Sequence, residues 1–298
     1  MSLFARNRAG TLTFTVRNED GTPTAPTGSV AVTVRDLAGT SIATGTASAG
    51  TGTGVFTYAL PSGVRSTLGR YEVTFAYTVS AVSETVVVPV EIVSALLFDV
   101  AEVREVYPEL SDPQRYTSAE IRRARDEATS RLEQAAQVSF STRRTVETIS
   151  GDDTTRLLLP DVEVSGLYSV TIYDETIPGA DAVEDAFDAT ELADVEIDGP
   201  AGVLKRTDGD VWPRGHRNVV VDYEHGYEYP PEPVRRAAMK LAVEALVPSA
   251  LPSRALSQTT DLGEIRISVA NPEAGRPTGD PEIDAVILQF GRRRPTIG

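Results

Sequence analysis

Residues 223–246, with the sequence YEHGYEYPPEPVRRAAMKLAVEAL, predict a helix that has almost no polar face. Proline disfavours helix in the residues before it but is tolerated in the first helical turn, so the helix should begin near Pro233. Beyond that point only Arg236, Lys240 and Glu244 form a polar row, at intervals of four residues. A helix that is apolar almost all round must be buried, either in a core or between subunits.

The length and composition allow both kinds of burial. A chain of 298 residues is long enough for two domains, each with a core of its own. It contains no cysteine, so disulfides, thiolate metal sites and a cysteine nucleophile are excluded. It has no run of about 18 apolar residues, and its N-terminus has no apolar secretory signal. We therefore expect a soluble, unexported protein with no membrane partner.

The net charge of −15 is unevenly distributed along the chain. Residues 1–94 contain six arginines and six acidic residues, so residues 95–298 carry all of the excess negative charge. This asymmetry indicates that the two parts have different roles. Strong negative charge disfavours tight DNA binding, because affinity for the duplex comes largely from cations that displace counterions from phosphates. It is compatible with a surface past which DNA slides.

Residues 1–94 alternate between apolar and polar side chains, which is the pattern of half-buried strands. Turn residues, including the glycine-rich segment 50–54 and the segment 61–63, separate the strands at a spacing typical of an antiparallel sandwich. Gly69 and Tyr71 resemble the tyrosine corner of immunoglobulin-like domains, in which the tyrosine hydroxyl bonds to nearby backbone. The first domain is therefore expected to be an all-β, immunoglobulin-like sandwich over residues 1–94.

Helical patterns begin after residue 94. A short helix is expected over residues 99–107. Thr117 and Glu120 then form a capping box, which opens a long amphipathic helix ending near Val138.

A β segment over about residues 141–224 follows, with the acidic stretch 174–198 partly as a solvated loop. After the apolar helix, we expect a loop over 249–261, a strand over 264–270 and a short helix that Asp280 caps. Residues 95–298 are thus predicted to be an α+β domain: a helical bundle with an inserted β segment and a C-terminal arm.

No residue stands in a recognisable catalytic, cofactor-binding or metal-ligating motif. The two histidines, His216 and His225, are not at metal-ligand spacing, and His225 is expected at a solvated strand end. Calcium binding by the acidic stretch 174–198 is left open, although its spacing is not that of an EF-hand. The prediction is a protein that is not an enzyme and uses no cofactor.

Three motifs follow the capped helix and the β segment in a fixed order: GYEYPPEPVRRAA at 226–238, PSR at 252–254 and RPTGDPEIDAV at 276–286. Together with the two helices before them, they resemble the head-to-tail adaptor family of tailed bacteriophages, which form a ring beneath the portal. The last two motifs are most similar to those of adaptors from actinobacterial phages. The N-terminal sandwich is a departure, because the compact adaptors lack it.

The resemblance implies a structural virion protein of the head-tail neck, assembled in the host cytoplasm. In that family the bundle packs side by side into a homo-oligomeric ring, commonly of twelve subunits, which joins the portal to a tail-side stopper or neck protein. DNA would pass through the channel without specific binding, and the acidic excess would partly line it. Subunit packing would involve Val234, Ala238, Leu241 and Ala245. The C-terminal arm would dock on the portal through Phe290, Arg292, Arg293 and Arg294.

Two other classes of function are left open. The first is a surface-binding or adhesion protein whose β-sandwich binds glycan or host, which requires exposed aromatic residues such as Tyr58 or Tyr77 to cluster on one face. The second is a hydrolase that uses acidic residues of the stretch 174–198, which requires two carboxylates at a fixed separation in a cleft. For the C-terminal arginines, a frayed and solvated terminus is the plain alternative to docking.

Overall fold

The computed structural model describes residues 1–174, 183–247, 255–261, 264–269 and 278–292. The chain divides into two compact units. The first comprises residues 1–96 and 142–145, and the second comprises residues 97–141 and those from 146 onwards. The architecture is mixed, with several β-sheets and a few helices.

The first unit is built from two sheets around one core. Its elements in chain order are β1 (Ser2–Ala5), β2 (Thr11–Thr15), β3 (Ala31–Asp36), β4 (Ser41–Thr46), β5 (Ser48–Ala49), β6 (Val55–Ala59), α1 (Ser62–Ser66), β7 (Gly69–Val79) and β8 (Val82–Val93). One sheet has the strand order β1-β8-β7-β3-β4 and the other has the order β2-β6-β5. Alternate residues of both sheets meet in the core, as the period-two pattern predicts. Phe14 of one sheet stacks on Phe75 of the other, with ring centroids 4.9 Å apart.

Two local predictions for this unit were wrong and one was confirmed. The sheets are not purely antiparallel, because β1 pairs in parallel with β8, and its four residues are too short to give a periodic signal. The segment 61–63 enters helix α1 instead of a turn, and this buries Val64. The tyrosine-corner hydrogen bond is present, since the Tyr71 hydroxyl donates to the Thr67 carbonyl at 3.2 Å.

Residues 142–145 join the first unit through contacts with the end of β8. The Ser94 N–H donates to the Thr142 carbonyl at 3.0 Å, and the Thr142 N–H donates to Ser94 Oγ at 2.8 Å. Glu91, which is almost fully buried, forms ion pairs with Arg143 and with Arg70. A buried carboxylate needs such cations, because an unpaired charge is costly to remove from water.

The chain after residue 96 alternates helices with short sheets. Its elements are α2 (Val100–Val106), α3 (Ser118–Ala136), β9 (Arg143–Ile149), β10 (Arg156–Leu158), β11 (Val164–Asp174), β12 (Val183–Ala186), α4 (Ala189–Ala193), β13 (Val195–Asp198), β14 (Val203–Arg206), β15 (Val219–His225), α5 (Glu232–Leu246), β16 (Ala255–Asp261), β17 (Glu264–Val269) and α6 (Pro281–Phe290). The sheets have the orders β12-β11-β15-β9 and β10-β14-β13, and β16 pairs with β17 as a hairpin.

Two apolar cores organise the second unit. Residues of α2, α3, α5 and α6 share one of them, so these four helices form a bundle. The other lies in the β segment, where Trp212 is fully buried and stacks on Phe187 at a centroid distance of 6.0 Å. The β segment is inserted between α3 and α5, as the sequence predicts.

The predicted helix boundaries agree with the structure where capping residues set them. Thr117 caps α3, and its N–H donates to the Glu120 carboxylate at 2.9 Å, which completes the capping box. Asp280 caps α6 by accepting from the N–H groups of Glu282 and Ile283. Gly291 follows the last residue of α6.

Regular structure occurs in residues 249–261, which were predicted as a loop, and in the acidic stretch 174–198, which was predicted to be partly a loop. Residues 255–261 form β16, which lacks a strong apolar alternation but pairs with β17. Within the acidic stretch, β12 pairs with β11, and Asp188 caps the short helix α4 by accepting from Thr190 and Glu191 N–H groups. Part of the acidity therefore serves helix capping, which a count of charges does not reveal.

Candidate functional site

Helix α5 is buried mainly by its own bundle. Pro231 and Pro233 stand at its first turn, where a missing N–H removes no helical hydrogen bond. Val234 and Ala238, two of the expected subunit-packing residues, have no exposed surface in the bundle core. Leu241 is partly buried, and Ala245 is exposed. The solvent-accessible surface of α5 therefore includes Ala245 and part of Leu241, and excludes the other two.

A groove of about 620 Å³ lies between α2, α5 and α6. Its apolar wall is formed by Val106 and Tyr107 from the end of α2, Met239 of α5, and Ile283 and Val286 of α6. Val106 remains 55% exposed, which is unusual for a valine that lies among other apolar side chains. The groove is therefore an open apolar surface within a single unit.

Charged side chains cross between the three helices at the edge of this groove. The Arg235 guanidinium donates to the Leu97 carbonyl at 3.0 Å and also forms an ion pair with Glu102 of α2. The Lys240 ammonium lies 2.7 Å from Asp280 Oδ2 and 2.7 Å from Glu282 Oε2. The sequence pattern identified Lys240 as part of a polar row, but it missed the role of Arg235 because Glu102 is 133 residues away.

Asp280 is the most constrained carboxylate at this edge. Burial by itself would raise the pKa of Asp280, but hydrogen bonds from Lys240 and from the N–H groups of Ile283 and Glu282 outweigh burial and lower it. Four residues later, Asp284 is also buried and accepts from the N–H and hydroxyl of Thr278. These contacts fix the start of α6 against α5.

The C-terminal residues that were expected to dock on a portal are partly engaged by the chain itself. The Phe290 ring packs edge-on against Tyr227, with centroids 6.4 Å apart. The Arg292 N–H donates to the Ala136 carbonyl at 2.8 Å, and its guanidinium donates to the Pro160 carbonyl at 2.6 Å. Arg293 and Arg294 lie outside the described residues.

His225 is not solvated, which corrects the sequence prediction. It is buried at the end of β15, and its Nε2 lies 3.4 Å from Asp161 Oδ2. The Tyr223 hydroxyl donates to the same carboxylate oxygen at 2.9 Å, and burial followed by the charge of Asp161 raises the pKa of Tyr223. Glu224 points the other way and accepts from the Tyr168 hydroxyl at 2.5 Å, as strand alternation predicts. Asp161 is brought to His225 by the fold, and no sequence motif connects them.

The aromatic residues named for the adhesion alternative do not form an exposed cluster. Tyr58 and Tyr77 are buried in the core of the first unit, so they are not exposed aromatic residues. Among the described residues no group of three or more acidic or histidine side chains is arranged to hold a metal ion. In the acidic stretch, residues 175–182 lie outside the described part of the chain. No helix of the described part is long and apolar enough to cross a membrane.

Comparison with known proteins finds similar solved structures. No protein-family model and no curated protein matches the sequence. Among solved structures, the chain is similar to a component of the neck of an empty GTA particle computed with C6 symmetry, at 14% sequence identity. The match covers 68% of this chain and 93% of that chain, with a TM-score of 0.42.

Proposed function

We propose that this protein is a structural component of the neck of a tailed bacteriophage or a phage-like particle. In this proposal, copies of the chain form a ring that joins the portal to a tail-side stopper or neck protein and continues the DNA channel. The ring would contain twelve copies, as is common in the family that the sequence resembles. The protein would assemble in the host cytoplasm and act without catalysis or a cofactor.

One observation carries the proposal. The helices α2, α3, α5 and α6 share a single core, although the 95 residues 137–231, which include the β segment, separate α3 from α5. Two of the three motifs that resemble adaptors occur at defined positions in this bundle: GYEYPPEPVRRAA spans the entry and first turns of α5, and RPTGDPEIDAV ends within α6. The third, PSR at 252–254, lies outside the described residues. The resemblance therefore involves residues that determine how the bundle is built.

The distribution of charge supports the channel part of the proposal. Residues 95–298 carry the net charge of −15, since residues 1–94 are neutral. A channel for DNA must not retain the phosphate backbone, and an acidic wall releases no counterions when DNA passes. We assign the neutral first unit to the outside of the neck.

The contacts of the C-terminal residues refine the proposed docking on the portal. Arg292 already bonds to Ala136 and Pro160, and Phe290 is partly covered by the bundle. These two residues would hold the start of the arm in place. Arg293 and Arg294 would then reach an acidic surface of the portal, for which the planar guanidinium is suited because it can bind a carboxylate through two hydrogen bonds.

The experiment that tests this proposal uses particles produced from the genome that encodes the chain. Purified particles would be examined by quantitative mass spectrometry and by electron microscopy of the neck with a labelled antibody. We expect the chain in the particle, at the neck and in a fixed ratio to the portal protein. A chain found only outside the particles would refute the proposal.

A further inference from the structure

The groove between α2, α5 and α6 has an acidic surround. Glu102, Glu232 and Glu282 line it together with Arg236 and Lys240, and these three carboxylates form ion pairs with Arg235, Arg236 and Lys240 respectively. Glu109 lies two residues after Tyr107, which is in the groove wall, and Glu244 lies one helical turn after Lys240, which also lines the groove; both glutamates are exposed. The groove thus combines an apolar wall with two exposed carboxylates at its edge, Glu109 and Glu244. This chemistry suits an arginine, whose stem covers apolar surface while its guanidinium binds a carboxylate.

A basic surface is present on another helix of the same unit. Near the N-terminal end of α3, Arg122 and Arg123 are exposed, and Arg115 is exposed in the segment before it. The buried face of α3 is formed by other residues, including Ile121 and Ala124. Because no residue of α3 lines the groove, the acidic and basic surfaces are separate.

We propose that the groove of one copy receives the Arg122–Arg123 surface of the next copy. This inference rests on the proposed function, because it identifies the surfaces through which the ring would close. Two different, complementary surfaces on one chain produce a head-to-tail contact, and a head-to-tail contact closes into a ring when its rotation allows. The opposite charges of the two surfaces favour this pairing. Like charges would repel each other if two grooves, or two α3 surfaces, came together.

The test uses two full-length double variants with complementary defects. Variant A carries Arg122→Glu and Arg123→Glu, so both of its surfaces are acidic. Variant B carries Glu109→Lys and Glu244→Lys, which makes the surround of its groove basic. Sedimentation velocity at low ionic strength measures self-association of the wild-type chain, of each variant alone and of an equal mixture. All four positions are exposed, and Trp212 fluorescence checks that the second unit of each variant is folded.

We expect the wild-type chain to associate, and each variant alone to associate at least about tenfold more weakly. The mixture of A and B should recover association, because the acidic groove of A then meets the basic α3 of B, and the basic groove of B meets the acidic α3 of A. Added salt should weaken both the wild-type and the mixed assemblies. A control with Glu19→Lys and Asp20→Lys, in an exposed turn of the first unit, should associate like the wild type.

Three outcomes would overturn the inference: a wild-type chain that stays monomeric at every concentration tested, variants that associate like the wild type, or a mixture that does not recover. None of them bears on whether the chain is in the neck, which the particle experiment decides separately. Conversely, recovery of the mixture together with absence of the chain from particles would support the contact and refute the neck function.

Discussion

Replacing Gly226 with alanine tests the physical reason for the first residue of the GYEYPPEP motif. Gly226 joins β15 to the segment before α5, with a φ of +98°. Its N–H donates to the Glu163 carbonyl at 2.9 Å. A β-carbon built on this residue would lie 2.5 Å from the Ser141 carbonyl oxygen and 2.9 Å from Ser139 Cβ. We therefore expect that no other residue fits here without movement of the backbone.

The size of the effect follows from two separable costs. A positive φ destabilises the folded state by about 1–2 kcal/mol for alanine. Alanine also reduces the conformational entropy of the unfolded chain, which offsets roughly 0.4–1 kcal/mol of this cost. Forcing a methyl group into packed backbone adds about 1–3 kcal/mol. Gly209→Ala is the matched control, because Gly209 has a φ of +93° but a β-carbon there would meet nothing within 4 Å. We expect a loss of about 2–4 kcal/mol for Gly226→Ala and about 0.5–1 kcal/mol for Gly209→Ala.

Urea unfolding followed by tryptophan fluorescence measures this difference. The chain has one tryptophan, Trp212, and it is fully buried in the β segment of the second unit, so the signal reports on this unit alone. That selectivity matters because a chain with two units need not unfold in a single transition. If the free energies of unfolding of the two variants agree within about 0.5 kcal/mol, the argument from steric overlap is incorrect.

Three further predictions concern single contacts. Thr117→Ala should destabilise the second unit by about 1 kcal/mol in the same urea assay, while Thr117→Ser, which keeps the capping hydroxyl, should cost much less. Lys240→Met removes the cation beside buried Asp280 and should cost about 2 kcal/mol at neutral pH, whereas Arg236→Met on the exposed side of α5 should be nearly neutral. The pKa of Asp280 is lowered in the folded state, so the contribution of its carboxylate to the free energy of unfolding is complete above the ordinary aspartate pKa range and is lost as the pH falls. The destabilisation caused by Lys240→Met should therefore shrink below about pH 4. Tyr71→Phe should lower the stability of the first unit by about 1 kcal/mol in calorimetry, because it removes the hydroxyl bond to Thr67, and an unchanged transition would contradict that role.

The parts of the fold that could be predicted from sequence are those set by residues close together in the chain. The Thr117 box, the Asp280 cap and the prolines before α5 act over three or four residues, and each helix begins where they predict. Strand alternation likewise identified the faces of β7 and β15. Strand β16 escaped because its hydrogen bonds come from β17, and pairing can hold a strand whose own pattern is weak.

The candidate site depended on contacts between distant parts of the chain, and sequence could not give these. The apolar circumference of α5 was compatible with burial in a core or between subunits. Val234 and Ala238 are buried in the core because α3 and α6 pack against α5, and sequence does not show this packing. His225 was expected in solvent because nothing in the residues beside it indicates Asp161, which arrives from a loop before β11. The ion pair of Arg235 was not predicted either, because its partner Glu102 belongs to α2, far away in the sequence.

The burial of α5 within its own bundle has a consequence for the timing of assembly. A helix that needed a second chain to cover it would leave each newly made copy prone to aggregation until a partner arrived. Here the fully buried positions of α5 are covered by the same chain, so a single copy can fold and persist at low concentration. Under the proposed neck function, folding and assembly would then be separate events, because a folded copy needs no second chain to cover these positions of α5.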